Sequence, residues 1–190
     1  WPGLCTSLKH SSRFASFVLL AKGSYPAELN IPLPFALVSR NVSENRIDVM
    51  PAFWWLYNMY ALARNSWKFA ARDRRLVKSQ HIEFEALAPD TVEEILHARR
   101  LLELWAGKAA AGKRGTESSE EAATGELLQM GQEYLTGGSV GEDALLIHGD
   151  GMEKSRRDAA LLRPCEGYRA YEEMLRYYVA INLLAYLEEH

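Results

Sequence analysis

The protein has 190 residues, 48% of them apolar and 25% charged, with a formal net charge of −3. That length holds one domain, or a small domain with a piece of another, and the composition is ordinary globular usage. The slight negative charge excludes a global pull toward nucleic acid or an anionic membrane, so any anion site must come from local clustering.

Residues 1–24 are short apolar pieces separated by Gly, Ser and Lys. Phe14–Leu20 is short, partly β-branched and bounded by polar residues, which predicts a buried strand. From Ala27 to Leu37 the chain alternates, with Ala27, Leu29, Ile31, Leu33, Phe35 and Leu37 on one side and Glu28, Asn30, Pro32, Pro34 and Ala36 on the other. That period predicts extended chain with one buried face. Pro32 and Pro34 lack N–H groups, so this piece is an edge strand or a wrapping segment.

Arg40–Arg46 is a polar loop, and Pro51 opens a helix expected to run to about Arg74. The run from Val49 to Ala63 is apolar except at Asn58, and falls short of the ~20 residues that span a bilayer. Phe53, Leu56, Tyr60 and Trp67 share one face of the helix and are expected in the core. Next, His81–Ala88 alternates as a short strand would. Asp90 with Glu93 has the spacing of a capping box, and opens a helix to about Ala106 carrying Val92, Ile95, Leu102 and Trp105.

Gly107–Thr124 is small and polar, and is expected to be a mobile linker. A helix follows over Gly125–Leu135. Two short strands are expected at Ala144–Ile147 and Ala159–Leu162. A last helix starts near Glu166 and is apolar on most sides from Tyr177 to Leu187. The residues thus predict a mainly α chain with minor β (α+β). It divides into a β-rich strip over residues 1–45 and a helical module over 46–190. Trp1 in place of Met, and a helix pattern running to the last residues, are expected of a piece of a longer protein.

The motifs that suggest chemistry are few. Gly107–Arg114 matches a P-loop except at its eighth position, where Arg114 stands instead of Ser or Thr, and it lacks the strand before it. Asn41–Ser43 is a chance glycosylation triplet. His148–Gly151 reads as a tight turn, and there is no G-x-S-x-G elbow. None of the five histidines pairs with another His or a Cys at metal-ligand spacing, so no metal and no cofactor are expected. Cys5 and Cys165 form no C-x-x-C and read as reduced thiols of a cytoplasmic protein.

The strongest functional pattern is a basic rail. Arg64, Lys68, Arg72 and Arg75, with Asn58 and Asn65, fall in a helical wedge of about 120°. Arg40, Asn41, Asn45 and Arg46 lie just upstream. Guanidinium groups bind phosphate bidentately and amides read hydroxyls, so a sugar phosphate or nucleotide suits these ten residues. The competing reading is a salt-bridge network with Glu83, Glu85, Glu93 and Glu94.

HSSRFASFVLLAKGSYPAELNIPLPFALVS, from His10 to Ser39, resembles the end of a left-handed β-helix. The family is one of large bacterial proteins named only as a domain of unknown function. The likeness continues through NRIDVMPAFWWLYNMYALARNSWKFAARDRR and returns at MEKSRRDAALLRPCEGYRAYEEMLRYYVAINLL. Together these cover over half the chain. The resemblance implies that residues 1–45 are the last coils of a β-solenoid, or wrap onto one. It also implies an upstream solenoid similar to those of hexapeptide-repeat acyltransferases and sugar-nucleotide enzymes. Such enzymes are commonly trimers, with a His base and a CoA or sugar-nucleotide donor between subunits.

On that footing His10 is the one histidine near the right segment. The resemblance leaves open whether the full-length protein is an acyl- or nucleotidyltransferase-like enzyme, and these 190 residues alone are not expected to be one. Residues 1–39 hold too few clean repeats for a separate solenoid, so most of such a site would precede Trp1. The expected function is a helical accessory module of a β-solenoid protein that helps bind a phosphorylated sugar or nucleotide. The alternative is a structural or oligomerisation module with no ligand. The expected partners are the upstream solenoid, further copies of the chain and a phosphorylated small molecule, without nucleic acid or a membrane span.

Overall fold

A computed structural model describes residues 1–80, 82–114, 122–137 and 145–189. The N-terminal strip holds six strands: β1 (Ser7–Leu8), β2 (Arg13–Phe14), β3 (Leu19–Leu20), β4 (Ser24–Tyr25), β5 (Asn30–Ile31) and β6 (Leu37–Asn41). They pair in parallel as β1–β4, β2–β5 and β3–β6, with Ser7 opposite Ser24, Arg13 opposite Asn30 and Leu19 opposite Leu37. The chain therefore comes back beside itself after 17 or 18 residues, three times, in three separate sheets. Leu8, Phe14 and Leu20 stand opposite Tyr25, Ile31 and Val38, so one apolar residue per strand recurs in register.

The corners between these strands explain why the pieces are so short. Cys5, Ser11 and Phe17, at every sixth position, and Phe35, have φ between 58° and 64°. That left-handed conformation is uncommon for residues other than glycine and breaks an extended run. Phe17 and Phe35 stack, ring centroids 4.9 Å apart. The single strand expected over Phe14–Leu20 is therefore two strands around a corner. Leu29, Ile31, Leu33 and Phe35 are buried, as their alternation predicts. Past the Phe35 corner the phase changes: against expectation Ala36 is buried, with Val38, and Leu37 is only partly covered.

β6 then folds back on β7 (Arg46–Met50) as a hairpin with Asn41 opposite Arg46. β8 (Ala159–Leu161) adds in parallel to β7, giving the order β3-β6-β7-β8. The expected loop at Arg40–Arg46 shrinks to residues 42–45, because Asn41 Oδ1 accepts from Ser43 Oγ and Glu44 N and Asn45 takes φ 51°. Residues 145–147 form no strand, although Ile147 O accepts from Leu161 N at 2.8 Å. The turn-rich segment before β8 covers the β5 edge: Asn30 N donates to Met152 O and Lys154 N to Glu28 O.

The expected helix from Pro51 is two helices, α1 (Phe53–Tyr57) and α2 (Met59–Arg72), parted at Asn58 with φ −142°. The break changes which face is covered. Trp54 is buried, whereas Tyr60 is 77% and Trp67 68% exposed, against expectation. Residues 82–85 are not a strand, and Phe84 stacks on Phe69 of α2 at 4.6 Å.

α3 (Pro89–Arg114) begins on its proline, where the missing N–H costs nothing. Thr91, not Asp90, supplies the local bond, its Oγ1 accepting from Ala88 N at 2.8 Å. Gly107–Lys113, expected to be linker, belongs to α3, and the tract 115–121 lies outside the described residues. α3 crosses α4 (Ala122–Gly137) at two glycines. A Cβ on Gly107 would lie 1.9 Å from Leu127 O, and one on Gly131 1.8 Å from Glu103 O.

α5 (Pro164–Glu189) closes the core. Its Tyr168, Tyr171 and Met174 are fully buried, and Tyr171 OH donates to Pro34 O at 2.7 Å. Trp54 N donates to Phe35 O, and Glu94 accepts from Ser16 N. The helices are thus bonded to the corner that ends the parallel strip. The result is an α+β fold with one continuous core shared by strip and helices.

Candidate functional site: the basic face of helix α2

Helix α2 buries only Leu62 completely. Its alanines favour helix without asking for cover, so its remaining faces can stay open. On one of them Arg64, Lys68 and Arg72 follow at i, i+4 and i+8, the spacing that brings side chains together. Lys68 is half-buried, and its pKa is lowered first by desolvation and then by Arg64 and Arg72. Among the described residues no salt bridge reaches Arg64, Lys68 or Arg72.

Lys68 and Arg72, but not Arg64, line an open pocket of about 710 Å³ with Asn65, Phe69, Arg74, Ile82 and the pair Asp73–Arg75. The pair is bidentate, with Arg75 Nε and Nη2 each 2.9 Å from an Asp73 oxygen. Lys78 Nζ adds a contact at 3.4 Å. Arg75 beside Asp73 holds that carboxyl well below the usual range. Arg75 is therefore neutralised within the wall. The charge offered to a ligand comes from Lys68, Arg72 and Arg74, with Arg64 beside Lys68 and Phe69 as an apolar wall.

The structure gathers part of the expected site and separates the rest. Asn65, Lys68, Arg72 and Arg75 meet in the pocket. Asn58 instead serves the helix break, its N–H on Trp54 O and its carbonyl accepting from Ala61 N. The upstream group works inside the hairpin. Asn41 Nδ2 and Arg46 Nε hold Asp48 at 3.0 and 2.8 Å, and Arg46 also meets Glu44. Arg40 Nη1 donates to Ser24 O, and Asn45 makes the turn. None of the hairpin residues lines the pocket.

The carboxylates expected to neutralise the rail have other places. Glu83 accepts from Phe84 N and Glu85 N, Glu94 is bound to Ser16 N, Glu93 lines a cleft beside Arg13, and Glu85 lines an apolar groove between α2 and α5. His10 is exposed near Glu28, whose carboxyl pKa is lowered mainly by its bond to Lys154. Arg74, Phe69 and Ile82 were not legible as site residues. Arg74 lies past the last helical turn, and the other two carry no charge to mark them. Among the described residues no acidic, His or Cys cluster could hold a metal, and no helix is long and apolar enough to cross a membrane.

No family model and no solved structure matches the chain. It is similar to a protein of Treponema pallidum (strain Nichols) described as an uncharacterized protein, 41% identical over 189 residues. The match covers 100% of this chain and 25% of the relative, so the chain spans about a quarter of that protein's length.

Proposed function

We propose that this chain is the terminal module of a β-solenoid protein, and that the α2 pocket holds a phosphorylated sugar or nucleotide for it. The observation that supports the first part is the register of the strip. Parallel pairs recurring at 17 or 18 residues, with left-handed corners at Cys5, Ser11, Phe17 and Phe35, support reading the strip as a three-sided coil. The β6–β7 hairpin turns antiparallel and stops that stack, and α1 and α5 cover its last corner through Phe35 O and Pro34 O. At the other end β1 and β2 each pair with one strand among the described residues, and offer edges on which a further coil would pair.

The ligand reading is supported by Lys68, crowded by two arginines with no salt bridge to a carboxylate among the described residues, in a pocket that has room for a phosphate and its sugar. Three like charges on one helix face repel, and an anion relieves the repulsion. Calorimetric titration with inorganic pyrophosphate, a nucleoside-diphosphate sugar and the neutral sugar tests it. Binding of the first two, weakened about tenfold or more by Arg72→Ala and by added salt, is the expected result. If neither anion binds, or if both bind unchanged to Arg72→Ala and Lys68→Ala, the pocket is not the site and the module is structural.

A further inference from the structure

We propose that the cavity between α2 and α5 binds a small organic cation with an apolar body, an alkyl- or arylalkylammonium compound. The cavity measures about 360 Å³, within the roughly 300–1,000 Å³ usual for small-ligand sites. Trp55 of α1 and Met59 and Leu62 of α2 line one side, and Tyr177 and Ile181 of α5 line the other. Residues 85–87 make a third wall.

These walls are held by contacts of their own. Phe84 stacks on Phe69, and Ala86 O accepts from Thr91 Oγ1 at 3.1 Å, so the third wall is anchored to α2 and to α3. Trp55 and Tyr177 meet edge to face with ring centroids 5.7 Å apart, which ties α1 to α5. The space is therefore formed before a ligand arrives.

Its chemistry selects the sign of the ligand's charge. Among the described lining residues Glu85 alone is charged, and no salt bridge reaches it among the described residues. Glu173 Oε2 accepts from Trp55 Nε1 at 3.4 Å, which fixes the indole and sets a second carboxylate beside it. The face of an aromatic ring is its negative side, and an ammonium group over Trp or Tyr is attracted to it. Two aromatic rings, the polarizable Met59 thioether and Glu85 thus surround an apolar space with negative potential. A fatty acid or a phosphate would meet Glu85 with like charge, and a neutral hydrocarbon would make no use of it. The cavity shares no lining residue with the basic pocket of α2, so the proposal is independent of phosphate binding there.

Titration of the 190-residue chain with 2-phenylethylammonium, followed by calorimetry and tryptophan fluorescence, tests it. The neutral match is 2-phenylethanol, and phenylacetate is the anion. The ammonium should bind with a Kd on the order of 1 mM or tighter. It should bind about tenfold or more tightly than the alcohol, and the anion should bind least. Glu85→Gln, at an exposed position, should remove most of the preference for the cation and leave the alcohol unchanged. Tyr177→Leu, half-exposed, should weaken the cation about threefold or more. Gln129→Ala on α4 should change nothing. No binding of the ammonium, equal binding of the alcohol or the anion, or an affinity indifferent to both Glu85→Gln and Tyr177→Leu overturns the proposal.

Discussion

At the scale of single residues, neighbouring aromatics of one apolar run have opposite fates. Trp54 is 4% exposed, its ring centroid 5.5 Å from that of Trp1, and its backbone N–H donates to Phe35 O. Trp67, two turns into α2, faces outward. Removing a buried Trp side chain costs about 3–5 kcal/mol, and removing an exposed one costs within about 0.5 kcal/mol. Urea unfolding should therefore separate Trp54→Ala, strongly destabilised, from Trp67→Ala, nearly unchanged. Equal midpoints for the two would contradict the break at Asn58. Hydrophobicity could not tell these tryptophans apart; the turn of the chain between them did.

Among the elements, the α3–α4 crossing rests on glycine. Alanine in a helix interior is normally worth about 1 kcal/mol over glycine. Here a methyl at Gly107 or Gly131 would press into the carbonyl of the facing helix at under 2 Å. The helices must then separate, at a cost of about 1–3 kcal/mol or more. Gly107→Ala and Gly131→Ala should each lower the melting temperature, while Gly112→Ala, with open space around it, should raise it slightly. If Gly107→Ala raises the melting temperature, the close crossing is wrong. This is also why Gly107–Lys113 misled as sequence. Small residues read as linker until a partner helix stands within contact of them.

For the whole molecule, the junction of strip and helices gathers groups that must stay protonated. Burial raises the pKa of Tyr25, Tyr168, Tyr171 and Cys165, most strongly that of Tyr171. In the unfolded chain tyrosines ionise near pH 10, and in the fold they ionise later, so the unfolded state loses protons first. Stability is then full below that pH and falls as pH rises through it. The urea midpoint should drop between pH 8 and pH 11. Tyr171→Phe should flatten the drop, while costing about 1–3 kcal/mol at neutral pH for the unpaired Pro34 carbonyl. A midpoint constant to pH 11 would place these phenols at the surface.

Periodicity in the sequence was enough for the α+β class, the helices around Ile95, Leu102 and Trp105, the buried alternation from Leu29 to Phe35, and the spacing of Arg64, Lys68 and Arg72. These follow from local geometry, since period two and the i, i+4 spacing need only neighbouring residues. The long-range facts were decided by the tertiary structure. The corner at Phe17 cuts one expected strand in two and the corner at Phe35 shifts the phase of the next, and the stack that joins these two rings is a contact between residues 18 positions apart. Arg40, Asn41 and Arg46 lie near the rail in sequence but were taken into the hairpin, where Ser24 O and Asp48 hold them. Arg74 and Phe69 entered the pocket because the chain turns back past α2 to bring Ile82 and Phe84 beside it. Which charges remain open to a ligand depends on where carboxylates come to rest, and sequence spacing carries no information about contacts made across the fold.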